Sequence, residues 1–166
     1  MDRIVLSILV ANSFGVLNRV SGLFSRRGYN IDSLTVGTTE DNTISRITVV
    51  AQGDELVLEQ ITKQLKKLED VYEVQALPKS SSVYRELVLI KVKAKANERA
   101  DLVSIVDIFR ARIVDVSPSS VVIEVTGDEP KVSALLAMLD GFKIIEIVRT
   151  GLSGISRGLD SLNNNE

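Results

Sequence analysis

The sequence predicts an α+β fold built from two ferredoxin-like βαββαβ domains. The prediction rests on an apolar rhythm that switches between strand and helix periods in the order β-α-β-β-α-β. The same order returns after a Pro/Ser-rich break, and the composition suits an aliphatic core. The chain has 166 residues, room for one domain of common size or two small ones. Hydrophobic residues make up 45% and aromatics only 4%, so the core is built from Val, Ile and Leu.

In the first half, "RIVLSILV" (Arg3 to Val10) is β-branched and mostly apolar and reads as a buried strand. Asn12, Ser13, Phe14 and Gly15 make a turn. From Val16 the period changes: Val16, Leu17, Val20, Leu23 and Phe24 share one arc at about 100° per residue, with Asn18, Arg19, Ser21, Ser25 and Arg26 opposite. This is an amphipathic helix, stopped by Gly28, with Arg26 and Arg27 in its last turn where cations suit the dipole. "NIDSLTVGTT" and "TISRITVVAQ" follow as strands joined by the polar loop Glu40-Asp41-Asn42. Gly53 and Asp54 open a second helix with the stripe Val57, Leu58, Ile61, Leu65 and Leu68, and "VYEVQAL" is the fourth strand. One alternating set of the first strand, Ile4, Leu6, Ile8 and Val10 or else Val5 and Leu9, must point away from the helices and needs a cover: a second sheet, a partner subunit, or both.

In the second half, "YRELVLIKVKA" is a strand and Asn97 to Phe109 a helix with Leu102, Ile105, Val106 and Phe109 on one face. "ARIVDVSP" and "SSVVIEVTG" are strands joined at Pro118. Asp128 and Pro130 start a helix carrying Val132, Leu135, Leu136 and Leu139 that ends at Gly141, and "FKIIEIVRT" is the last strand. The expected organisation is a domain over residues 1–77, a linker over 78–83, a second domain over 84–158 and a flexible tail over 159–166, with the whole Gly/Ser/Asn-rich stretch from Gly151 loosely held.

Composition removes several function classes. With neither cysteine nor histidine, disulfides, thiol catalysis, zinc-thiolate sites and the commonest general base are excluded. A formal charge of −2 argues against nucleic acid or an anionic membrane as partner. "MDRIVLSILV" is too short and wrongly flanked for a signal peptide, and no segment approaches the roughly 18 apolar residues of a membrane span. The expectation is a soluble, cytoplasmic protein.

The turn from Asn12 to Val16 carries stronger ligand chemistry than the other constellations, such as "LSGISRG" near the end. A strand that ends in a glycine-containing turn and leads into a helix presents outward N–H groups with a favourable dipole. Gly15 lets a ligand approach the backbone. Phosphate and carboxylate both suit; the spacing is neither a P-loop nor GxGxxG, and the loop has no lysine, which favours a single carboxylate. Asn12 and Asn30 each offer an amide oxygen and an amide nitrogen, and Asn30 is expected near the helix start or across a subunit interface. Together these suit an α-amino acid, with an apolar notch for an aliphatic side chain. An account without a ligand also fits: Asn12 and Ser13 cap the helix, Gly28-Tyr29-Asn30 stops it, and Val16 and Ile31 are core.

The stretches "NSFGVLNRVSGLFSRRGYNIDSLTVG", "SRITVV" and "LEQITKQLKKLEDVYEV" resemble the small, regulatory subunit of acetohydroxyacid synthase (acetolactate synthase). "RELVLIKVKA", "IFRARIVDVSPSSVVIEVTG" and "EIVRTGLSGISRG" continue the resemblance over nearly the whole chain. It implies that the first domain is an ACT domain, an amino-acid sensor, and the second the family's C-terminal regulatory domain. Such subunits carry no catalytic site, cofactor or metal. They bind and activate a catalytic subunit that uses thiamine diphosphate, Mg2+ and FAD, and confer feedback inhibition by valine, sometimes by leucine or isoleucine, in branched-chain amino-acid biosynthesis. The resemblance also implies a homodimer or higher homo-oligomer with the effector between two ACT domains. Asn12, Ser13, Phe14, Gly15 and Val16 then form the effector loop, and Asn30 and Ile31 come from the neighbouring subunit. Phe14 stands where the family's residue varies.

Three other readings compete. RRM domains share the element order, but the strands "VLSILV" and "SRITVV" lack the aromatics that stack bases. A stand-alone enzyme would have only carboxylates, lysines and hydroxyls, none paired at suggestive spacing. An ACT-domain sensor of another biosynthetic enzyme shares every feature of the first domain.

Overall fold

The computed structural model describes residues 2–159 and Leu162. The described residues divide into two compact units, those up to Tyr84 together with those from Leu152 onward, and Arg85–Gly151.

The first unit runs β1 (Asp2–Ala11), α1 (Val16–Arg26), β2 (Ile31–Thr38), β3 (Ile44–Gly53), α2 (Glu55–Leu65) and β4 (Val71–Ala76). Its strands form an antiparallel sheet in the order β2-β3-β1-β4. Alternation along β1 settles which set faces the helices: Ile4, Leu6, Ile8 and Val10 pack with Val20, Leu23 and Phe24 of α1 and Ile61 and Leu65 of α2. Each such aliphatic side chain, fully buried, contributes about 1.5–3 kcal/mol. Leu17, expected on the apolar arc, is 43% exposed, because it sits at the edge of that arc and turns away from the sheet. On the opposite face Val5 and Val50 are covered by Leu77, Leu152 and Tyr84.

Where the sequence suggests a loose linker, Lys79–Ser81 form a 3-10 turn, and Ser82 is buried at the start of β5 (Ser82–Lys93). The second unit continues with α3 (Arg99–Ile108), β6 (Arg112–Val116), β7 (Ser120–Gly127), α4 (Glu129–Met138) and β8 (Ile144–Arg149), in the sheet order β6-β7-β5-β8. Val88, Ile90 and Val92 pack with Leu102, Val106, Val132, Leu135 and Leu139 in its own core. Asp54 and Asp128 cap α2 and α4 by accepting from the amides of Val57 and Lys131.

The stretch after Gly151 departs from the expectation of a loosely held segment. Ser153–Ser156 form β9, which pairs β5, and the Arg157 amide donates to the Ser81 carbonyl at 2.8 Å. Leu152 is 5% exposed and belongs to the small apolar cluster above. Burial of that leucine, with backbone pairing, offsets the entropy of ordering a Gly/Ser-rich stretch. Of the tail expected at 159–166, Leu159 is exposed and Leu162 buried; the remaining positions lie outside the described residues.

Candidate functional site

The β1–α1 turn is held from below by backbone. The Ala11 amide donates to Asp70 O at 2.9 Å and the Asn12 amide to Thr43 O at 2.7 Å. Asn12 Nδ2 donates to Asn42 O at 2.8 Å. The turn is therefore pinned to the β2–β3 hairpin, which Asp41 closes by accepting from the Thr43 hydroxyl at 2.7 Å and the Thr43 amide at 2.8 Å. The Thr43 hydroxyl, then its amide, hold the Asp41 carboxyl below the ordinary aspartate value.

Gly15 is the N-cap of α1 with φ of 82°, in the left-handed region that glycine enters without a steric cost. No side chain caps α1 and its first turn has no acidic residue, unlike α2 and α4. The account in which Asn12 and Ser13 serve as helix cap is thereby corrected: Asn12 spends its amide on Asn42, and the left-handed Gly15 is itself the cap residue. Ser13 and Phe14 are exposed, Phe14 completely, and Val16 is buried beneath them. Beside the turn, Arg19 donates through Nε to Asp70 Oδ2 at 2.7 Å, with NH2 at 2.6 Å from the same oxygen.

Asn30 and Ile31 do not join this cluster within one chain. Asn30 is exposed and donates to Asp32 Oδ1 at 2.6 Å; Ile31 is half-buried against the core. Ala11 pairs with Ile44 at one end of β3, whereas Ile31 pairs with Ala51 at the other. The seven steps of β3 between them (51 − 44) amount to about 23 Å. Of the two arrangements open to Asn30 from the sequence, adjacency to its own helix start is ruled out by this register. Among the described residues no group of three or more His, Cys, Asp or Glu could hold a metal ion.

Residues 6–73 match a family model described as an AHAS small subunit-like ACT domain, and residues 85–158 one described as the small subunit of acetolactate synthase. A probable acetolactate synthase small subunit of Methanothermobacter thermautotrophicus is 50% identical over 158 residues, 95% of this chain and 94% of that protein. The chain belongs to the acetolactate synthase small-subunit family. Another member, the acetolactate synthase isozyme 3 small subunit of Escherichia coli, is 48% identical over 157 residues, covering 94% of this chain and 96% of its own length. The crystal structure of the acetolactate synthase small subunit from Thermotoga maritima superimposes with a TM-score of 0.89 at 38% identity, covering 95% of this chain and 99% of that one. A catalytic-subunit partner follows from membership in this small-subunit family.

Sequence reasoning missed the hairpin anchor of the β1–α1 turn. The spacing of Asp41 and Thr43 carries an Asx-turn signal, since an Asp side chain readily accepts from the amide two residues on. The Asn12–Asn42 contact has no local signal, because 30 residues separate the partners.

Proposed function

We propose that this chain is the regulatory subunit that binds and activates the catalytic subunit of acetolactate synthase, and that valine, with leucine or isoleucine as further candidates, binds between two copies of its first unit to inhibit the enzyme. In this reading the α1 amides beside Gly15 bind the effector's carboxylate, where the helix has neither a side-chain cap nor an acidic first turn. Asn12 and Asn30 both spend their Nδ2 on neighbours, on Asn42 O and Asp32 Oδ1. Each amide is thereby oriented with Oδ1 left to accept, which suits an ammonium.

The observation that carries the reading is the separation of about 23 Å between the two halves of the candidate set. A ligand far smaller than that distance touches both halves only if the second comes from another copy. A site at such a seam ties occupancy to subunit arrangement, and a ligand shifts an equilibrium by its differential affinity for the two arrangements. The catalytic partner, in the cytoplasm and on the branched-chain amino-acid pathway, carries the thiamine diphosphate, Mg2+ and FAD; this chain supplies regulation. The test is acetolactate formation by the catalytic subunit alone, with this chain, and with this chain plus valine. Activation by the chain and its reversal by valine are expected; the lack of either refutes the corresponding half of the proposal.

A further inference from the structure

The outer face of the first sheet holds a cavity of about 380 Å³ that the effector reading does not use. Ile47 and Val49 of β3 point to the helices, so Arg46, Thr48 and Val50 point the other way. Val50 is covered by Leu77 and Leu152. Further along the strand the same face becomes polar: Thr48 pairs in register with Thr35, and Arg46 with Gly37. The wall over this floor is the start of β9. It is pinned there by Leu152, whose amide donates to Ser33 Oγ at 2.8 Å and whose carbonyl accepts from Thr35 Oγ1 at 3.1 Å.

We propose that this groove, floored by Thr35, Gly37, Arg46 and Thr48 and walled by Ser153 and Gly154, binds a short carboxylate that carries a hydroxyl or oxo group. Arg46 is half-buried and donates through NH1 to Oγ of the fully buried Ser7 at 3.0 Å, which fixes the guanidinium and leaves it donors to spare. Among the described residues Arg46 pairs with no carboxylate. A partly desolvated guanidinium held in place matches one carboxylate through paired, charge-assisted bonds. A phosphate dianion suits the groove less, because Arg46 has no lysine beside it in the lining and Glu40, which stands in the same lining, opposes a double negative charge more than a single one. The hydroxyls of Thr48 and Ser153 call for polar groups on the ligand, since a purely aliphatic body would strip them of water without replacing its hydrogen bonds. The volume lies in the range of about 300–1,000 Å³ of small-molecule clefts, near its lower end.

The groove shares no residue with Asn12–Val16 or Asn30–Ile31, so it stands independently of the effector reading. It does share a structural element with it: Thr38 and Thr39 line the groove, and the hairpin they enter holds Asn12 through Asn42 and Thr43.

The test uses the full chain, labelled with 15N, titrated in separate arms with sodium pyruvate, sodium phosphate, sodium chloride and valine. Saturable amide shifts with pyruvate are expected at Thr35, Gly37, Thr48 and Ser153. Two variants probe charge and space. Arg46→Gln removes the guanidinium and with it the bond to Ser7. Gly37→Val leaves that bond in place, and a Cβ at Gly37 meets no protein atom within 4 Å while facing the groove beside Arg46. Each is expected to weaken pyruvate binding by about tenfold or more and to leave the valine titration as in the parent chain. Pyruvate shifts that are absent, that fall elsewhere, or that persist undiminished in Gly37→Val overturn the proposal, as does phosphate binding more tightly than pyruvate.

Discussion

A Cβ placed on Gly15 would lie 3.2 Å from NH1 of Arg19, one helical turn further along α1. Arg19 is not free to retreat, because Nε and NH2 are both held by Asp70 Oδ2, at 2.7 and 2.6 Å. Its backbone amide also donates to the Gly15 carbonyl at 3.0 Å. Any side chain at position 15 therefore meets a left-handed backbone and an anchored guanidinium together.

Gly15→Ala meets both obstacles, and its backbone strain by itself is expected to cost about 1–2 kcal/mol in stability. Gly15→Asp is better tolerated, since aspartate visits the left-handed region more readily and its carboxylate faces Arg19. That same carboxylate would occupy the helix amides that the effector reading assigns to valine. Gly15→Asp is thus the better-folded variant and the worse valine binder, with affinity down by about tenfold or more. Thermal unfolding and calorimetry on both variants check the pair. Unchanged valine affinity in Gly15→Asp would remove the loop as the carboxylate site.

The separation along β3 gives a sharper test by mixing. Gly15→Asp disables the loop half of the site, and Asn30→Ala the half supplied from the far end of β2. If each site draws on two copies, a mixed dimer has one site with both halves intact and one with neither. Equal mixing with free exchange yields about half mixed dimers, and so restores about a quarter of the valine sites of the parent chain. Each variant alone has no site of the parent affinity. Calorimetric stoichiometry of the mixture against the separate variants reads this directly; a mixture no better than its components indicates a site built within one chain.

The elements were legible because local signals and tertiary demands agree. The stripe Val16, Val20, Leu23 and Phe24 is buried as its period requires, and Asp54 and Asp128 cap the helices they precede. The stretch Leu152–Ser156 was not legible. Its glycine and two serines carry no strand propensity, and it is ordered by distant partners: Ser33 and Thr35 of β2, and the cluster of Val5, Val50 and Leu77. At the candidate site, Gly15 was read only as leaving room for a ligand; its left-handed φ of 82° was not legible, since glycine enters either half of φ space without a signal from its neighbours. The distance between Asn12 and Asn30 was hidden, because it depends on register, and Arg46 looked like any outward residue on a strand until its face and its bond to Ser7 were known.

Acid should loosen the hairpin that anchors Asn12. The Thr43 hydroxyl, and after it the Thr43 amide, stabilise the ionised Asp41 and lower its folded pKa below 3.8. Because the folded value lies under the unfolded one, this stabilisation is complete above the unfolded value and is lost as pH falls through the folded value. Glu59, Glu73 and Glu146 are likewise lowered, first by hydrogen bonds from Lys63, Lys66 and Lys91, so a global melting curve would mix all four. Residue-specific NMR titration separates them. The Asp41 midpoint is expected below 3.8 and is expected to rise toward that value in Thr43→Val, which keeps the backbone amide but removes the larger cause. The Asn12 amide, bonded to the Thr43 carbonyl, is expected to report the same midpoint. An Asp41 midpoint at or above 3.8 contradicts the geometry.

Leu152 tests whether the last described strand is part of the first unit's stability or a passive addition. It is 5% exposed and packs with Val5, Val50 and Leu77, beside Tyr84, whose hydroxyl donates to the Leu77 carbonyl. Leu152→Ala removes most of this cover and is expected to cost about 2–5 kcal/mol, the spread reflecting how far the site collapses onto the vacated space. Gly154→Ala perturbs the same place in the opposite sense, since its Cβ would lie 2.9 Å from Leu77 Cδ1 and 3.1 Å from Tyr84 Cδ1, and it is expected to cost about 1–3 kcal/mol by overpacking. Hydrogen exchange distinguishes local from general loss: amides of β1 and β3 are expected to exchange faster in both variants, while those of β7, which belongs to the other core, keep their protection. If β1 and β3 exchange as in the parent chain, the segment rests on the sheet without stabilising it.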